Sequence, residues 1–299
     1  MILTLGDSVT WGQGLLDNHK FDRVFASGGP LSRVAHSGAV VGSEQDTSSQ
    51  KVHPEIPVPY PSIWQQIESV GDWSDIDAVI LNGGINDVSL TRILNPWIQA
   101  DQISQLSQQF CGAAVTALLA SLASRLKSGA RVLVIGYYPI LSQSSNPDNE
   151  KQLRMLMEMH GVATASVATE TTVDIDTILP RIIDNCLTFW TTSKQSLTDA
   201  VNRINQTIGH QICTFVDPGF TEANSLWASD PMLWELTPEL DAEDEVTTLR
   251  NAECQAEYGD LVHLPEWGQW YICCRASVGH PNVQGAQQIA EKLTAAPSL

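Results

Sequence analysis

A short apolar segment near the start of the chain ends abruptly in a turn that carries a serine. Leu3-Thr4-Leu5 leads into Gly6-Asp7-Ser8, and further glycines follow at Gly12 and Gly14. The pattern predicts a buried strand that stops at a tight turn, with Ser8 at its carboxyl end. Ligands of open α/β sheets bind beyond the carboxyl ends of the strands, so Ser8 is a candidate nucleophile. On its own the tripeptide is more often an ordinary turn.

Further apolar segments predict the rest of a sheet. Residues 2–5 form the first strand, and others are predicted at 76–81, 131–140 and 213–216. Helices are predicted between the strands. The first helix covers residues 113–126, which are rich in Ala and Leu. The second lies around Leu153, Leu156 and Val162. The third is predicted where apolar residues recur at helical spacing, at Leu197, Val201, Ile204 and Ile208. Strands that alternate with helices predict a parallel sheet.

A second strand also runs into glycines and polar groups. Ala78-Val79-Ile80 is followed by Leu81-Asn82-Gly83-Gly84-Ile85-Asn86. The Asn86 amide has two N–H donors, and donors aimed at a developing oxyanion contribute strongly to acyl transfer. The alternative is an Asx turn that only closes the loop.

Two weaker signals complete this set. Gly38, in Ala35-His36-Ser37-Gly38-Ala39, has no side chain to keep a ligand from its backbone N–H, although a glycine turn without function is almost as plausible. His280 precedes Pro281 and a predicted C-terminal helix that begins at this proline. The near-neutral pKa of histidine suits a general base for a serine, although a lone histidine is more often structural.

Taken together, these residues resemble the SGNH (GDSL-type) hydrolases, a family named after a Ser, a Gly, an Asn and a His in four sequence blocks. The matching residues are Ser8, Gly38, Asn86 and His280, and they occur in the order of the family. Each block is weak by itself, but four blocks in order bracket nearly the whole chain. The GxSxG elbow of ordinary α/β-hydrolases is absent from the sequence.

The resemblance implies a fold and a mechanism. The implied fold is α/β, a three-layer α/β/α sandwich with a mainly parallel, flavodoxin-like sheet. Ser8 would attack an ester carbonyl while His280 accepts its proton, and water would then hydrolyse the acyl-enzyme. The backbone N–H groups of Ser8 and Gly38, with the Asn86 side chain, would form the oxyanion hole. Neither a cofactor nor a metal is implied.

The sequence departs from the family at one position. An Asp usually lies three residues before the histidine and orients it, but Ser277 stands there. Three arrangements are open: a backbone carbonyl holds the imidazole, a carboxylate from elsewhere holds it, or the site is impaired. Asp217, Asp260 and Glu266 are candidates for the second arrangement. The third would make the chain a non-catalytic binding protein on the same scaffold.

The composition of the chain limits the kinds of partner that it is expected to bind. The chain has 299 residues, 34 acidic and 16 basic, for a net charge of −18, which argues against nucleic acid and anionic membrane surfaces. The expected partner is a small-molecule, glycan or lipid ester. No apolar run predicts an integral membrane segment. The chain starts on a strand without a signal peptide, which indicates an intracellular protein or a trimmed, mature secreted domain.

The segment of roughly 141–275 is much longer than a βα connection needs. We interpret the chain, residues 1–299, as a single domain with an elaborated insertion there, before the C-terminal catalytic loop. Its tryptophans, with Trp64, either line a substrate pocket or cover the sheet and helices. The acidic segment 239–245 is predicted to be a solvated loop. Cys254 can pair with Cys273 or Cys274, or all six cysteines can be reduced.

Overall fold

The protein is described by a computed structural model, which covers residues 1–46, 52–147, 150–162, 175–237, 239, 241–259 and 267–297. Its centre is a five-stranded sheet in which every pairing is parallel. The strands, in chain order, are β1 (Ile2–Leu5), β2 (Leu31–Arg33), β3 (Ala78–Leu81), β4 (Arg131–Ile135) and β5 (Cys213–Val216). They lie in the order β2-β1-β3-β4-β5, which is the flavodoxin-like order.

Helices connect the strands and follow the last one. The α-helices are α1 (Ser8–Trp11), α2 (Phe21–Ala26), α3 (Ile63–Glu68), α4 (Ile85–Val88), α5 (Leu90–Ile93), α6 (Ala100–Ser107), α7 (Val115–Arg125), α8 (Glu150–Met159), α9 (Ile175–Ile208), α10 (Thr247–Tyr258), α11 (Trp267–Cys274) and α12 (Val283–Ala295). A π-helical segment, Gln108–Ala114, joins α6 to α7, and short 3-10 turns lie at Asp17–His19 and Glu222–Asn224.

The strand order and the chain direction divide the helices between two layers. Right-handed crossovers put the β1–β2 connection on one face and the connections that run from β2 to β5 on the other. Accordingly α2 packs against α12, whereas α6 and α7 pack against α9. The α/β fold, with a parallel sheet between two helical layers, is therefore confirmed.

The register of the sheet determines where the strand ends lie. Leu5 pairs with Leu81, and Leu81 pairs with Val134, so β1, β3 and β4 end at the same level. All four residues of β3 are buried, as expected for a central parallel strand covered on both faces. The turns after these strands therefore meet at one edge.

Several predicted elements have different boundaries in the structure. The strand predicted over 131–140 ends at Ile135, because the chain leaves the sheet after Gly136, whose N–H still donates to Val216 O at 3.0 Å. The helix predicted over 113–126 is Val115–Arg125, preceded by the π-helical segment. The helix predicted to start at Pro281 begins at Val283, because the Asn282 side chain caps it by accepting from Gly285 N at 3.0 Å.

The segment 141–275 contributes β5 to the sheet and α9 to the helical layer of α6 and α7. The predicted amphipathic helix is confirmed as part of α9, whose Leu197, Val201 and Ile204 are buried. Buried apolar residues from Leu3 to Leu293 form one continuous cluster. The interpretation as one domain with an insertion stays a prediction.

A second, smaller apolar cluster surrounds a disulfide between Cys254 of α10 and Cys273 of α11. This is one of the pairings left open by the sequence. Nearby, the acidic segment is exposed at Glu239, Asp241 and Glu243, as predicted for a solvated loop, but not at Asp244. Asp244 is fully buried because it pairs with Arg250, which is itself fully buried.

The residues Ala100–Arg125 are long and apolar enough, by length and composition, to cross a membrane. Ile103, Leu118 and Leu122 of this segment are buried in the main cluster, and Leu106 and Phe110 are partly buried against it. Core helices pass the same test of length and composition, so this segment is weak evidence for a membrane span.

Candidate active site

The turn after β1 presents Ser8 at the carboxyl edge of the sheet. Gly6 has φ +127°, and a Cβ atom there would lie 2.5 Å from Asn82 O, so only glycine fits this turn. Asp7 caps α1 by accepting a hydrogen bond from Val9 N at 2.9 Å. The chain thus turns directly from strand to helix at Ser8, which is only 6% exposed.

His280 reaches Ser8 from the other end of the chain. Its Nε2 lies 2.7 Å from Ser8 Oγ, within hydrogen-bond distance. Two backbone bonds hold the histidine loop against Trp234. The Trp234 N–H donates to His280 O at 2.8 Å, and the Gly279 N–H donates to Trp234 O at 2.9 Å. The two residues predicted to share proton transfer are therefore brought into contact.

The other imidazole nitrogen faces a backbone carbonyl. His280 Nδ1 lies 3.2 Å from the carbonyl oxygen of Ser277, the residue at the position expected for an acid. This corresponds to the first of the three open arrangements. Asp217 instead pairs with Lys194 and accepts from Gly219 N, and Asp260 and Glu266 lie outside the described residues.

Burial controls the protonation of His280. Loss of solvation lowers the pKa of His280 to about 4, because the charged imidazolium is disfavoured in a buried site. The Ser277 carbonyl opposes this shift, the positive charge of Arg250 adds to it, and the negative charge of Asp244 opposes it. His280 is therefore neutral at neutral pH.

Gly38, from a loop, and Asn86, from α4, line the same cavity as Ser8. Gly38 has φ +76°, and a Cβ atom there would lie 2.5 Å from Val58 N, so the loop requires glycine. The Asn86 Nδ2 donates to Ala39 O at 2.9 Å, which ties α4 to the Gly38 loop. Ser8, Gly38, Asn86 and His280 all line one cavity. The structure thus brings together all four residues named from the sequence.

Asp7 and Tyr137 form a buried support beneath Ser8. The Asp7 carboxylate accepts from Tyr137 Oη at 2.7 Å and from Asn82 Nδ2 at 3.0 Å, besides its capping bond. Burial raises the pKa of Asp7, and these hydrogen bonds oppose the shift. Tyr137 Oη in turn accepts from Ile85 N at 3.1 Å, so the ends of β1, β3 and β4 are joined through one hydroxyl.

The cavity has a volume of about 290 Å³ and mostly apolar walls. Its apolar lining includes Val58, Leu90, Leu94, Ile140, Leu156 and Ile272. Among the described residues that line it there is no tryptophan, so the alternative in which a tryptophan lines the pocket finds no support there. Trp64 is buried in the main apolar cluster, and Trp270 packs on the cluster around the disulfide.

The sequence did not point to several residues of this cavity. Tyr137 and Tyr138 follow β4 directly, so the position at a strand end was an available signal; Tyr138 Oη donates to Gly279 O at 3.1 Å. His160 and Arg275 line the cavity from the ends of α8 and α11, and no local pattern marks them. Within the described residues, no group of three or more His, Cys, Asp or Glu side chains is arranged to hold a metal.

Comparison with known proteins supports the fold. No protein-family model matches the sequence, and a search of curated proteins gives no match. Among solved structures, the chain resembles an extracellular lipase from Streptomyces rimosus, with a TM-score of 0.54 and 13% identity over 99% of each chain. The chain has the fold of this lipase. The fold implied by the SGNH resemblance is thereby confirmed.

A second solved structure is a phospholipase A1 from Streptomyces albidoflavus. It aligns with a TM-score of 0.45 and 15% identity, over 79% of this chain and 87% of the other.

Proposed function

We propose that the protein is a serine hydrolase of the SGNH type that cleaves carboxylic esters through an acyl-enzyme on Ser8. The contact of 2.7 Å between Ser8 Oγ and His280 Nε2 carries the proposal, because it joins a nucleophile to its base. The contact lies at the wall of a cavity of about 290 Å³. The likeness in fold to an extracellular lipase adds support.

The hydrogen bonds of His280 favour the tautomer that this chemistry needs. A carbonyl oxygen only accepts, so the bond to Ser277 O requires the proton on Nδ1. Nε2 then carries the lone pair and accepts the Ser8 proton as the hydroxyl attacks the ester carbonyl. The same nitrogen later returns the proton to the leaving alcohol.

The proposed site is therefore a Ser-His pair held by a carbonyl. In the familiar triad a carboxylate fixes the tautomer and stabilises the imidazolium. The Ser277 carbonyl can fix the tautomer, but as a neutral acceptor it stabilises a cation less than a carboxylate does. The pKa of His280 stays low because the loss of solvation outweighs the opposing hydrogen bond to the Ser277 carbonyl.

We assign the oxyanion hole to the backbone N–H groups of Ser8 and Gly38 and to the Asn86 side chain. Asn86 has two amide N–H groups, and one donates to Ala39 O. That bond fixes the orientation of the amide, and we assign the second N–H to the oxyanion. Donors that are already oriented need no reorganisation during the reaction.

The walls of the cavity favour an ester with an apolar acyl chain over an acetylated sugar. Most of the cavity surface is apolar, and burial of each methylene contributes about 0.8 kcal/mol. We therefore expect kcat/KM to rise about fourfold per added methylene until the cavity is full.

Hydrolysis of p-nitrophenyl acetate, butyrate and octanoate tests both parts of the proposal. The Ser8→Ala variant should lose turnover and covalent labelling by a fluorophosphonate. Ser37→Ala is the matched control, because Ser37 is also buried and lines the same cavity; it should keep both. If the wild type shows neither turnover nor labelling, the protein is better described as a binding protein. A preference for acetate would contradict the acyl-chain assignment.

A further inference from the structure

Arg250, Glu55 and Asp244 form a buried ionic cluster outside all four sequence blocks; we call it the Arg250 cluster. Arg250 has no exposed side-chain surface, and Asp244 has none either, whereas Glu55 is 3% exposed. Arg250 pairs with Asp244, and its Nη1 lies 3.7 Å from Glu55 Oε2. Burial of three charges is costly, and an apolar core of the same volume is often at least as stable. Stability alone therefore gives no reason for the cluster.

One side of the cluster holds the segment that carries the nucleophile. The Glu55 carboxylate accepts from Trp11 Nε1 at 2.8 Å and from Gln13 Nε2 at 2.7 Å. The Gln13 amide also donates to the backbone carbonyl of Glu55 at 3.0 Å. Trp11 is the last residue of the four-residue helix that Ser8 begins. The position of Ser8 is thus linked to the carboxylate of Glu55.

The other side of the cluster holds the segment that carries the histidine. Arg250 Nε donates to Cys274 O at 3.2 Å, at the end of α11. Consecutive turns lead from there to the base: Ala276 N donates to Cys273 O at 3.2 Å, and His280 N donates to Ser277 O at 2.9 Å. The disulfide to Cys254 adds a covalent tie between α10, which carries Arg250, and α11.

We infer that the Arg250 cluster is a positioning device, with Arg250 as its central residue, which fixes the Ser8 segment relative to the His280 loop. It joins the two through buried charged contacts, although Ser8 and His280 are 272 residues apart in the sequence. Among the described residues, His280 Nδ1 has the Ser277 carbonyl as its partner and not a carboxylate. The position of the imidazole therefore depends on the position of the backbone. The kinetic test of this inference rests on the proposed function, whereas the spectroscopic test does not.

The test uses Arg250→Lys, which keeps the buried charge but removes the Nε donor and the planar fork. The expected result is a decrease of kcat by about tenfold to a hundredfold with KM unchanged, since a small misplacement of reacting groups costs rate rather than binding. The rate of fluorophosphonate labelling should fall by a similar factor. Arg250→Met, which removes the buried positive charge between Asp244 and Glu55, should be worse than Arg250→Lys in each assay.

Arg33→Lys is the matched control. The Arg33 side chain is 10% exposed and pairs with Asp22 and Asp17, with Nη2 2.6 Å from Asp22 Oδ1, and neither carboxylate belongs to the Arg250 cluster. The Arg33 guanidinium also lies 5.6 Å from the centre of the Trp11 ring, so this control tests a second charged group beside the Ser8 segment. A comparable decrease of melting temperature in both lysine variants, with a lower kcat only in Arg250→Lys, supports positioning. Equal effects of the two variants on kcat overturn it, because the cluster would then act only through general stability.

A second readout does not require turnover. In protein with ¹⁵N-labelled histidine, the Nε2 resonance that disappears in His280→Ala reports the hydrogen bond to Ser8. In Arg250→Lys that resonance should shift towards its position in Ser8→Ala. A resonance that stays at the wild-type position overturns the inference. An inactive wild type with the expected shift would contradict the proposed function and leave the positioning role supported.

Discussion

The Ser277→Asp substitution would restore a carboxylate three residues before His280. The Ser277 hydroxyl is fully buried and has no hydrogen-bond partner among the described residues. The indole N–H of Trp234 is in the same situation. Both lie against Gly14, where a Cβ atom would be 2.8 Å from Ser277 Cβ and 2.9 Å from Trp234 Nε1. A donor therefore lies near the position of the new carboxylate.

The size of the effect follows from the pKa of His280. A carboxylate within about 4–6 Å raises the pKa of a histidine by roughly 1–3 units. Starting from about 4, the pKa of His280 would move to about 5–7. The base must be neutral to accept a proton, so the wild type should lose activity as the pH falls through about 4. The variant should lose activity at higher pH, through about 5–7.

The same charge should also help at neutral pH. A carboxylate stabilises the imidazolium that forms when Ser8 attacks the ester, so kcat is expected to rise. The rise should be far smaller than the loss known for triads without their acid, because the Ser277 carbonyl already selects the productive tautomer.

The assay is the dependence of kcat/KM on pH between about pH 3 and pH 9, which reports the pKa of the base in the free enzyme. Hydrolysis of p-nitrophenyl butyrate is followed in stopped aliquots that are made alkaline, because the product is colourless in acid. Ser277→Asn, of the same shape but neutral, is the control. If kcat/KM of Ser277→Asp falls at the same acidic pH as kcat/KM of Ser277→Asn, the reasoning is refuted.

Four further predictions concern single groups of the site and its supports. His280→Ala should remove nearly all turnover, and retention of most of the rate would exclude His280 as the general base. Asn86→Ala should lower kcat by roughly a hundredfold. A near-normal rate of Asn86→Ala would mean that another group donates to the oxyanion. Tyr137→Phe removes a hydrogen-bond donor to buried Asp7 and should lower the free energy of unfolding by about 1.5–3 kcal/mol. Urea unfolding measures this loss, and an unchanged midpoint would contradict the prediction. Reduction of the disulfide between Cys254 and Cys273, which are 19 residues apart, should lower the free energy of unfolding by about 3 kcal/mol. Thermal unfolding with and without a reductant measures this loss. The variant with both Cys254→Ser and Cys273→Ser should not respond to the reductant.

The parts of the site that follow strands could be predicted from the sequence. Buried parallel strands are short apolar runs, and the polar residue after each run lies at the sheet edge by topology. This reasoning located Ser8 and the loop of Asn86. It would also have located Tyr137 if the strand before it had been ended at Ile135 instead of residue 140.

The remaining parts depend on contacts between distant segments. No local pattern shows that the Ser277 carbonyl, rather than a side chain, faces His280, because the direction of a carbonyl follows from the turns around it. Asp244 was predicted to be solvated from the acidic residues around it. It is buried because Arg250, on the following helix, turns inward to meet it.

The distance in sequence between Ser8 and His280 has a consequence for synthesis of the protein. β1 is made early, yet it pairs on both sides, with β2 and with β3, and β3 ends only at Leu81. The histidine loop and α12 are translated after all five strands. Because chains emerge from the ribosome at about 5–20 residues per second, the proposed pair of Ser8 and His280 stays separated for many seconds after Ser8 has been made. Ribosome-bound chains that stop before residue 280 should therefore have a nucleophile without its base, and reactivity of Ser8 would mark a chain translated through its histidine loop.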